Sequence, residues 1–321
     1  MTFVRTARPD ELPALVQHPG DTERNAATRA YLTQILERRC TRPEWCLVAE
    51  GEDGRPVGSV VLWALPDEPV PLAVVLFEAP AGDPATGLAL LDAAATLARA
   101  HGATELEHVV DAPAQAPQFQ RDPERRGALL RRSGFDVIRD GRRYALDVPA
   151  ELPPEDPRLT FRPLAELGRE PFVAALAELL GDTADARLAA MVAEHGRRGA
   201  AELLFEDTAG LRHEPHWWEL GYAADGTPAV ISLPAENPGA PVIGFVGVLP
   251  AHRGKGYATS VVVRGSRVLA AHGATRILGD CDAANVAMAR AFERAGYARF
   301  ADRLEYARPL PAAAPEGPAN G

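Results

Sequence analysis

The chain has 321 residues, and its 46% hydrophobic and 24% charged content is typical of a globular protein with room for two domains. Its net charge of −10 argues against a general nucleic-acid binder, and it has no apolar run of the ~20 residues that a membrane-spanning helix needs. Three cysteines without Cys-x-x-Cys spacing predict neither disulfides nor a zinc site, and the first residues lack a signal-peptide core. We therefore expect a cytoplasmic protein with no metal and with neither nucleic acid nor a membrane as partner.

The first part of the chain alternates predicted strands with predicted helices. Short apolar runs predict the strands, apolar residues at helical spacing predict the helices, and Asp-Gly pairs predict hairpin turns. The predicted strands are Phe3–Ala7, Trp45–Glu50, Pro56–Leu62, Leu72–Phe77, Glu105–Val110, Phe135–Ile138 and Arg143–Val148, the last two forming a hairpin around Asp140-Gly141. The predicted helices are two within about residues 10–40, then Leu88–His101 and Glu124–Ser133.

The segment Pro149–Pro157 contains four prolines, which is typical of a linker. After it the order of elements repeats. The predicted strands are Leu159–Arg162, Trp217–Tyr222, Ala229–Leu233, Val242–Val248 and Arg276–Gly279, followed by a closing hairpin that includes Tyr306. The predicted helices are two between about residues 168 and 197, one that follows Gly256, and Asn285–Arg294. The last residues, Pro309–Gly321, are rich in proline and alanine and are predicted to be disordered.

Matching residues relate the two parts by nearly constant offsets. The pairs are Trp45 and Trp217 (offset 172), Asp53 and Asp225 (172), His101 and His272 (171), Gly134 and Gly296 (162), and Tyr144 and Tyr306 (162). One deletion of about ten residues opposite the segment Ala112–Pro123 explains the change in offset. We therefore predict two copies of one α/β unit, at 1–148 and 158–308, joined by a linker at 149–157 and followed by a tail at 309–321.

A glycine-rich turn lies between a predicted strand and a predicted helix in the second copy. It reads Arg253-Gly254-Lys255-Gly256-Tyr257-Ala258. Two glycines let a ligand approach the backbone, and the free N–H groups of a helix start attract anions, so the turn predicts a phosphate or diphosphate site. The P-loop pattern fails because Gly256, and not Ser or Thr, follows Lys255, and the dinucleotide-binding pattern fails at Thr259.

The remaining pattern, Arg-x-x-Gly-x-Ala, resembles the acetyl-CoA signature of the GNAT (GCN5-related) N-acetyltransferases. The two-copy organisation resembles that of mycothiol synthase. The resemblance implies an α/β (α+β) fold of two tandem mixed-sheet domains with helices on both faces. It implies that acetyl-CoA binds to the second copy. The corresponding turn of the first copy is Gly82–Gly87, which lacks both cations. There Asp83 would repel the diphosphate and Pro84 removes one N–H donor, so we predict that this loop binds no acetyl-CoA and that the first copy acts as scaffold or as one wall of the substrate cleft.

The resemblance also implies roles for individual residues of the second copy. Backbone groups of Val246 and Val248 would hold the pantetheine arm, and the Val246 N–H would polarise the thioester carbonyl. The implied coenzyme-binding residues are Val246, Val248, Arg253, Gly254, Lys255, Gly256, Tyr257, Ala258 and Asn285. Asn285 opens the last predicted helix, where an asparagine is equally typical of an ordinary N-cap.

The sequence departs from the family at the two places where acid and base are expected. Phe292 occupies the position where many members have a tyrosine that protonates the leaving thiolate, and Val242 occupies the position where some members have a glutamate base. The candidates for the base that remain are Glu236, Glu219 and Asp282, with Asp280 beside them. No Cys–His pair is evident by spacing, so no covalent intermediate is expected.

We predict an acetyl-CoA-dependent N-acetyltransferase that transfers the acetyl group directly to the amine of a small molecule and works as a monomer or homodimer. Two alternatives stay open at this point. Protein amines are a second acceptor class, and a non-catalytic acyl-CoA-binding regulatory module is consistent with Phe292 and Val242.

Overall fold

The structure is a computed structural model and describes residues 3–12, 15, 20–149, 151–237 and 239–311. The chain forms two compact units. Unit 1 consists of the residues up to Ile138 together with those from Arg303 onwards, and unit 2 consists of Arg139–Asp302. The units therefore do not follow the predicted copies, because the end of the first copy belongs to unit 2 and the end of the second copy belongs to unit 1. The division into copies at 1–148 and 158–308 stays a prediction about the sequence.

Strands and helices alternate in both parts of the chain, although the described residues within 10–40 contain one helix and not the predicted two. The strands are β1 (Phe3–Thr6), β2 (Cys46–Glu50), β3 (Pro56–Trp63), β4 (Ala73–Glu78), β5 (Glu105–Ala112), β6 (Asp136–Asp147), β7 (Thr160–Pro163), β8 (Glu219–Tyr222), β9 (Pro228–Asn237), β10 (Ala240–Val248), β11 (Arg276–Asp282) and β12 (Ala298–Pro309). The helices are α1 (Thr22–Glu37), α2 (Pro84–Ala100), α3 (Pro123–Arg132), α4 (Leu164–Leu167), α5 (Arg169–Leu179), α6 (Ala186–Ala209), α7 (Tyr257–Ala271) and α8 (Val286–Arg294). Mixed strands and helices confirm the predicted α/β class.

Two predicted hairpins are wrong, because β6 and β12 are each one continuous strand. In β6 the residues Gly141–Asp147 pair without a break with β11, antiparallel, so that Gly141 faces Asp282. The Asp140-Gly141 pair predicted a turn that requires a glycine with positive φ, but Gly141 is not among the glycines with that conformation. A partner strand far away in the sequence decided the conformation of this dipeptide.

Unit 1 has a sheet in the order β1-β2-β3-β4-β5-β12, in which β4 and β5 are parallel and β1 to β4 are antiparallel neighbours. Helices cover both faces. On one face α2 and α3 bury Leu90, Leu91 and Leu130 with Trp45. On the other face α1 buries residues such as Leu32 against the sheet.

Unit 2 has a sheet in the order β6-β11-β10-β9-β8-β7, with β10 and β11 parallel and the other pairs antiparallel. Adjacent residues of β10 show that helices lie on opposite faces. A Cβ on Gly247 would be 2.7 Å from Leu179 Cδ1 of α5, whereas Val246 packs with Tyr257 and Val261 of α7. Side chains of neighbouring residues in a strand point to opposite faces.

The predicted repeat reappears as matching contacts inside each unit. In unit 1 the Trp45 indole N–H donates to His101 Nε2 over 3.3 Å. In unit 2 the rings of Trp217 and His272 lie 4.9 Å apart. The offsets of 172 and 171 relate Trp45 to Trp217 and His101 to His272. The same two residues therefore contact each other in both units, which supports two copies of one fold.

The end of the chain is ordered further than predicted. Pro309 ends β12, and the buried Leu310 donates its N–H to Thr104 O over 2.7 Å. The rest of the predicted tail, residues 312–321, lies outside the described residues. Across the described ranges, none of the helices combines the length and apolar character that crossing a bilayer requires. In the same ranges no group of three or more His, Cys, Asp or Glu side chains is placed to hold a metal ion, and Cys40, Cys46 and Cys281 are buried free thiols.

Candidate active site

A gap opens in the sheet of unit 2 where β10 leaves β11. In the described part of the chain these two strands share a single register pair, Val242 and Leu278. The pairing of β10 with β9 shifts between Ile243 and Phe245, which marks a β-bulge that bends the strand. A cavity of about 740 Å³ occupies the gap.

The cavity crosses the sheet, since elements on both faces line it. The lining residues on the α5–α6 side are Leu179, Leu180, Asp182, Thr183, Ala184, Asp185, Arg187, Leu188 and Leu204. Those on the α7–α8 side are Arg253, Gly254, Gly256, Tyr257, Ala258, Asn285, Ala287, Met288, Arg290, Phe292 and Arg294. Strand residues Ile243–Val248 and Asp280–Asp282, with Arg139 of β6, lie between them. Two molecules can therefore approach from opposite faces and meet in the gap.

The free edge of β10 faces the gap. Leu249 donates its N–H to Ala229 O of β9 over 2.9 Å. Because successive residues of a strand direct their backbone groups to alternate edges, Val248 and Val246 direct theirs toward the gap. Arg253 Nε donates to Val248 O over 3.3 Å, as this orientation requires. Both valines line the cavity. These are the backbone groups predicted to hold the pantetheine arm.

The glycine-rich turn lies at one end of the cavity and has the geometry of an anion site. Gly254 and Gly256 have φ of 76° and 85°, and Gly256 is the N-cap of α7 without a side-chain cap. In the described chain, neither a backbone nor a side-chain acceptor is found for the N–H groups of Gly254, Gly256 and Tyr257. These amides and the start of the α7 dipole suit a phosphate group.

The cations of the turn differ in their surroundings. Arg253 forms a two-oxygen ion pair with Asp182, with NH2 to Oδ1 at 2.9 Å, which raises the pKa of Arg253 and lowers that of Asp182. Both side chains are about half exposed, so the pair contributes little to stability and can yield to a diphosphate. Lys255 does not line the cavity, and its Nζ lies 3.3 Å from His252 Nδ1.

Helix α8 contributes two arginines that the sequence analysis did not select. Arg290 and Arg294 are exposed, line the cavity and have no acidic partner within the described ranges. Like charges at this spacing repel each other by a few tenths of a kcal/mol. Their spacing of four, which places both on one face of the helix, was the signal in the sequence, and it is typical of a surface that binds an anion.

Asn285 and Phe292 lie on the side of α8 that faces the sheet. Asn285 is the N-cap of α8, with Oδ1 accepting from Met288 N over 3.1 Å, and it lines the cavity as well, so both of its proposed roles are compatible. Phe292 is buried and stacks on Tyr144 with a ring distance of 5.1 Å. A Cβ on Gly279 would be 2.6 Å from Phe292 Cε1, which shows how tightly this ring is packed. No proton donor stands at this position.

Two of the four candidate carboxylates reach the cavity. Asp282 is buried and uses both oxygens, with Oδ2 accepting from Ala186 N (3.1 Å) and Oδ1 from Ala284 N (2.8 Å). Asp280 is 52% exposed and pairs through Oδ2 with Arg139 over 2.7 Å. Both residues line the cavity.

The other two candidates are in ion pairs elsewhere in unit 2. Glu219 is buried and accepts from Arg264 at 2.6 Å through each oxygen. Glu236 pairs with Arg212 beside the bridge between the same two residues. Neither glutamate lines the cavity, so their positions give the predicted base role no support.

The predicted loss of the anion site in the first copy has a visible cause. Asp83 caps α2, its Oδ1 accepting from Ala85 N (3.1 Å) and Thr86 N (3.3 Å). Its carboxylate therefore occupies the amides that hold no protein partner in α7. The hydrogen bonds from Thr86 lower the pKa of Asp83 and keep this carboxylate charged.

Comparisons with known proteins agree with this geometry. A sequence model of the acetyltransferase (GNAT) domain matches residues 158–298. No curated protein sequence matches the chain. A GCN5-related N-acetyltransferase structure from Sphaerobacter thermophilus is 19% identical, with 96% of each chain covered and a TM-score of 0.62.

Two further solved structures are similar over most of the chain. A GCN5-related N-acetyltransferase from Kribbella flavida is 19% identical over 90% of this chain and 96% of its own, with a TM-score of 0.53. A tandem GNAT protein from the clavulanic acid biosynthesis pathway is 17% identical over 98% of this chain and 100% of its own, with a TM-score of 0.51. At these identities the structures show the shared fold. Residues 158–298 therefore match the acetyltransferase (GNAT) domain, and the chain shares its fold with solved GNAT acetyltransferases, one of them a tandem GNAT protein.

Proposed function

We propose that this protein transfers an acetyl group from acetyl-CoA to the amine of a small molecule. The observation that carries the proposal is the cavity in the gap between β10 and β11, with an anion site on one face of the sheet and carboxylates on the other. The buried free thiols are consistent with a reducing compartment, and we propose a cytoplasmic enzyme without a metal that acts as a monomer or homodimer.

The α7–α8 side fits the coenzyme. The open amides of Gly254 and Gly256, with Arg253, suit the diphosphate. The exposed backbone edge at Val246 and Val248 suits the peptide-like pantetheine arm, which needs hydrogen-bond partners along its length. Arg290 and Arg294, on the same side, suit the third phosphate of CoA. Acetyl-CoA supplies an activated acyl group as a thioester.

Direct transfer needs no group from the chain to be acylated. The amine nitrogen bonds to the thioester carbonyl carbon, the carbon–sulfur bond breaks, and the electron pair leaves with sulfur. The ammonium form of the amine loses two protons in total: one reaches the thiolate to give CoA, and one is released to solvent. The N–H of Val246 is the donor that we propose for the oxygen as its negative charge develops.

Asp280 is the base that the geometry favours. An ammonium group with a pKa of about 10 must lose a proton before its nitrogen can attack, and a carboxylate in contact or through one water can take it. Asp280 faces the cavity with one oxygen bound to Arg139, whereas both oxygens of Asp282 already accept backbone hydrogen bonds. Asp282 then holds the start of α6 in place.

Phe292 leaves the departing thiolate without a protein acid at the family's usual position. A thiol pKa of about 8.5 makes the thiolate a good leaving group near neutral pH, so water can supply the proton. The rate should then depend little on any acid of the protein.

The test is release of free thiol from acetyl-CoA by the full chain with a panel of small amines. Turnover with at least one small amine, with an acetylated product of the expected mass, supports the proposal. Tight CoA binding without turnover on any amine would instead support the regulatory module. Turnover only on peptide N-termini or lysines would move the acceptor to protein amines.

A further inference from the structure

The α5–α6 side of the cavity, opposite the coenzyme site, has an apolar wall. Leu180, Leu188 and Leu204 reach it from the end of α5 and from two turns of α6, and Phe245 reaches it from β10. Leu188, Leu204 and Phe245 are half-buried and pack against the main core of unit 2. Because no protein group covers the rest of their surface, the wall suits the hydrocarbon part of a ligand.

The charged groups on this side are almost fully used within the protein. Asp185 caps α6 through Oδ1, which accepts from Leu188 N over 3.1 Å, and binds Arg139 Nε through Oδ2 over 2.9 Å. Asp182 gives both oxygens to Arg253. Among the cavity carboxylates that the structure describes, Asp280 alone has an oxygen without a partner.

One open carboxylate oxygen beside an apolar wall can recognise one cation with a hydrocarbon body. A second charge or several hydroxyl groups on the ligand would lie against leucine side chains and lose their hydrogen bonds to water. We propose that the acceptor is a primary amine on an apolar body, with the ammonium group at Asp280 and the hydrocarbon against Leu188, Leu204 and Phe245. This inference rests on the proposed function and names its acceptor class.

The test compares straight-chain primary amines from ethylamine to hexylamine at saturating acetyl-CoA. Burial of each added methylene should raise kcat/KM about fourfold until the wall is covered. 1,6-diaminohexane should be at least tenfold worse than hexylamine, because its second ammonium would lie against the wall. A flat series, or a preference for the diamine, overturns the proposal.

Leu204→Ser is the variant that probes the wall, and Leu203→Ser is its matched control. Leu203 is the neighbouring residue of α6, 39% exposed and outside the cavity lining. Leu204→Ser should reduce the gain per methylene to about twofold, and Leu203→Ser should leave it unchanged. Leu188→Ser gives a second readout if Leu204→Ser folds poorly. Equal slopes in all variants overturn the proposal.

Binding separates failure of this inference from failure of the proposed function. Titration calorimetry of the same amines into the CoA-saturated chain measures the wall without any turnover. If no amine is acetylated but affinity still rises with chain length, the acetyltransferase function fails and the apolar amine site stands. If small polar amines are acetylated and the affinity series is flat, the function stands and this inference fails.

Discussion

The two units contain the same gap between parallel strands, but only unit 2 leaves it open. In unit 1, β4 and β5 share one register pair, Ala73 and Glu107, as β10 and β11 do in unit 2. The edge of β4 is occupied by the protein's own side chains. Gln118 Oε1 accepts from Leu76 N over 3.0 Å, and Arg126 donates to Phe77 O. These are the kinds of backbone group that β10 offers to a ligand.

In unit 1 the ion pair between Glu78 and Arg126 lies at positions that correspond to cavity-lining residues of unit 2. Glu78 stands opposite Ser59, and Gly247 stands opposite Ile231, which lies at the repeat offset of 172 from Ser59. The Glu78 carboxylate binds Arg126 at 2.8 Å and Arg24 at 2.6 Å, and both arginines are buried. With the offset of 162, Arg126 corresponds to Met288, which lines the open cavity.

The comparison teaches that a fold keeps or loses a ligand site through a few side chains at one strand edge. Unit 1 satisfies its backbone internally and gains a rigid, closed gap. Unit 2 leaves the corresponding strand edge facing an open cavity.

Arg126→Met, which places the residue type of the open gap into the closed one, should lower the free energy of unfolding by about 3–5 kcal/mol. The reason is that Glu78 keeps a largely buried charge with one partner fewer. Chemical denaturation measures the loss. Arg125→Met is the matched control, since Arg125 makes 3.3 Å contacts to Ala79 O and Pro80 O and a long, exposed ion pair with Asp122 at 3.8 Å. An equal loss of unfolding free energy in the two variants would contradict the view that the ion pair of Arg126 with Glu78 closes the gap.

His108 should make unit 1 sensitive to acid. It is fully buried, its Nδ1 lies 2.7 Å from Val74 O, and burial lowers its pKa to about 4. The unfolded state gains a proton near pH 6.5 while the folded state does not, so stability is full above pH 6.5 and declines toward pH 4, by on the order of 3 kcal/mol.

His108→Gln should flatten this decline in urea unfolding between pH 7 and pH 4.5. The corresponding residue of unit 2 is Gly279, so no matching decline is expected there. His195→Gln, at an exposed histidine of α6, is the control and should keep the wild-type slope. An unchanged slope in His108→Gln would show that other groups cause the acid sensitivity.

Asp280→Asn should lower kcat/KM for the best amine about a hundredfold at pH 7, because the amide cannot accept the proton. The loss should shrink as pH approaches the pKa of the amine, where free amine is abundant. Asp207→Asn, at an exposed position of α6 away from the cavity, is the control. A pH-independent loss would indicate that Asp280 positions the substrate without taking its proton.

The double variant Arg290→Gln/Arg294→Gln should weaken CoA binding about tenfold, since it removes two cations from a phosphate. Binding of 3′-dephospho-CoA should stay unchanged, because that ligand lacks the third phosphate. Calorimetry on both ligands measures the difference. Arg299→Gln, at an arginine held by Asp302, is the control, and an equal loss with both ligands would assign the arginines to the diphosphate.

Local patterns predicted most of the order of elements and the glycine-rich turn at the start of a helix, because turns, caps and periodicity depend on neighbouring residues. The Arg253–Ala258 turn and the N-cap at Asn285 are of this kind. The proposed base could not be predicted, since Asp280, Glu219 and Glu236 are equivalent acids in the sequence, and the fold places Asp280 alone of these three in the cavity lining. The continuous strand β6 and the hydrogen bond from Leu76 N to Gln118 also depend on partners far away in the sequence.

The membership of the last strand in unit 1 has a consequence for synthesis on the ribosome. β12 brings Tyr306 and Leu310 into the core of unit 1, and Arg303 holds Asp111 through two contacts of 2.8 Å. The sheet of unit 1, most of which is synthesised first, is therefore complete only after β12, the last strand, has been synthesised. A premature stop after residue 302 would keep all residues of unit 2 but remove most of β12. Strand β5 would then have an unpaired edge that is prone to aggregation.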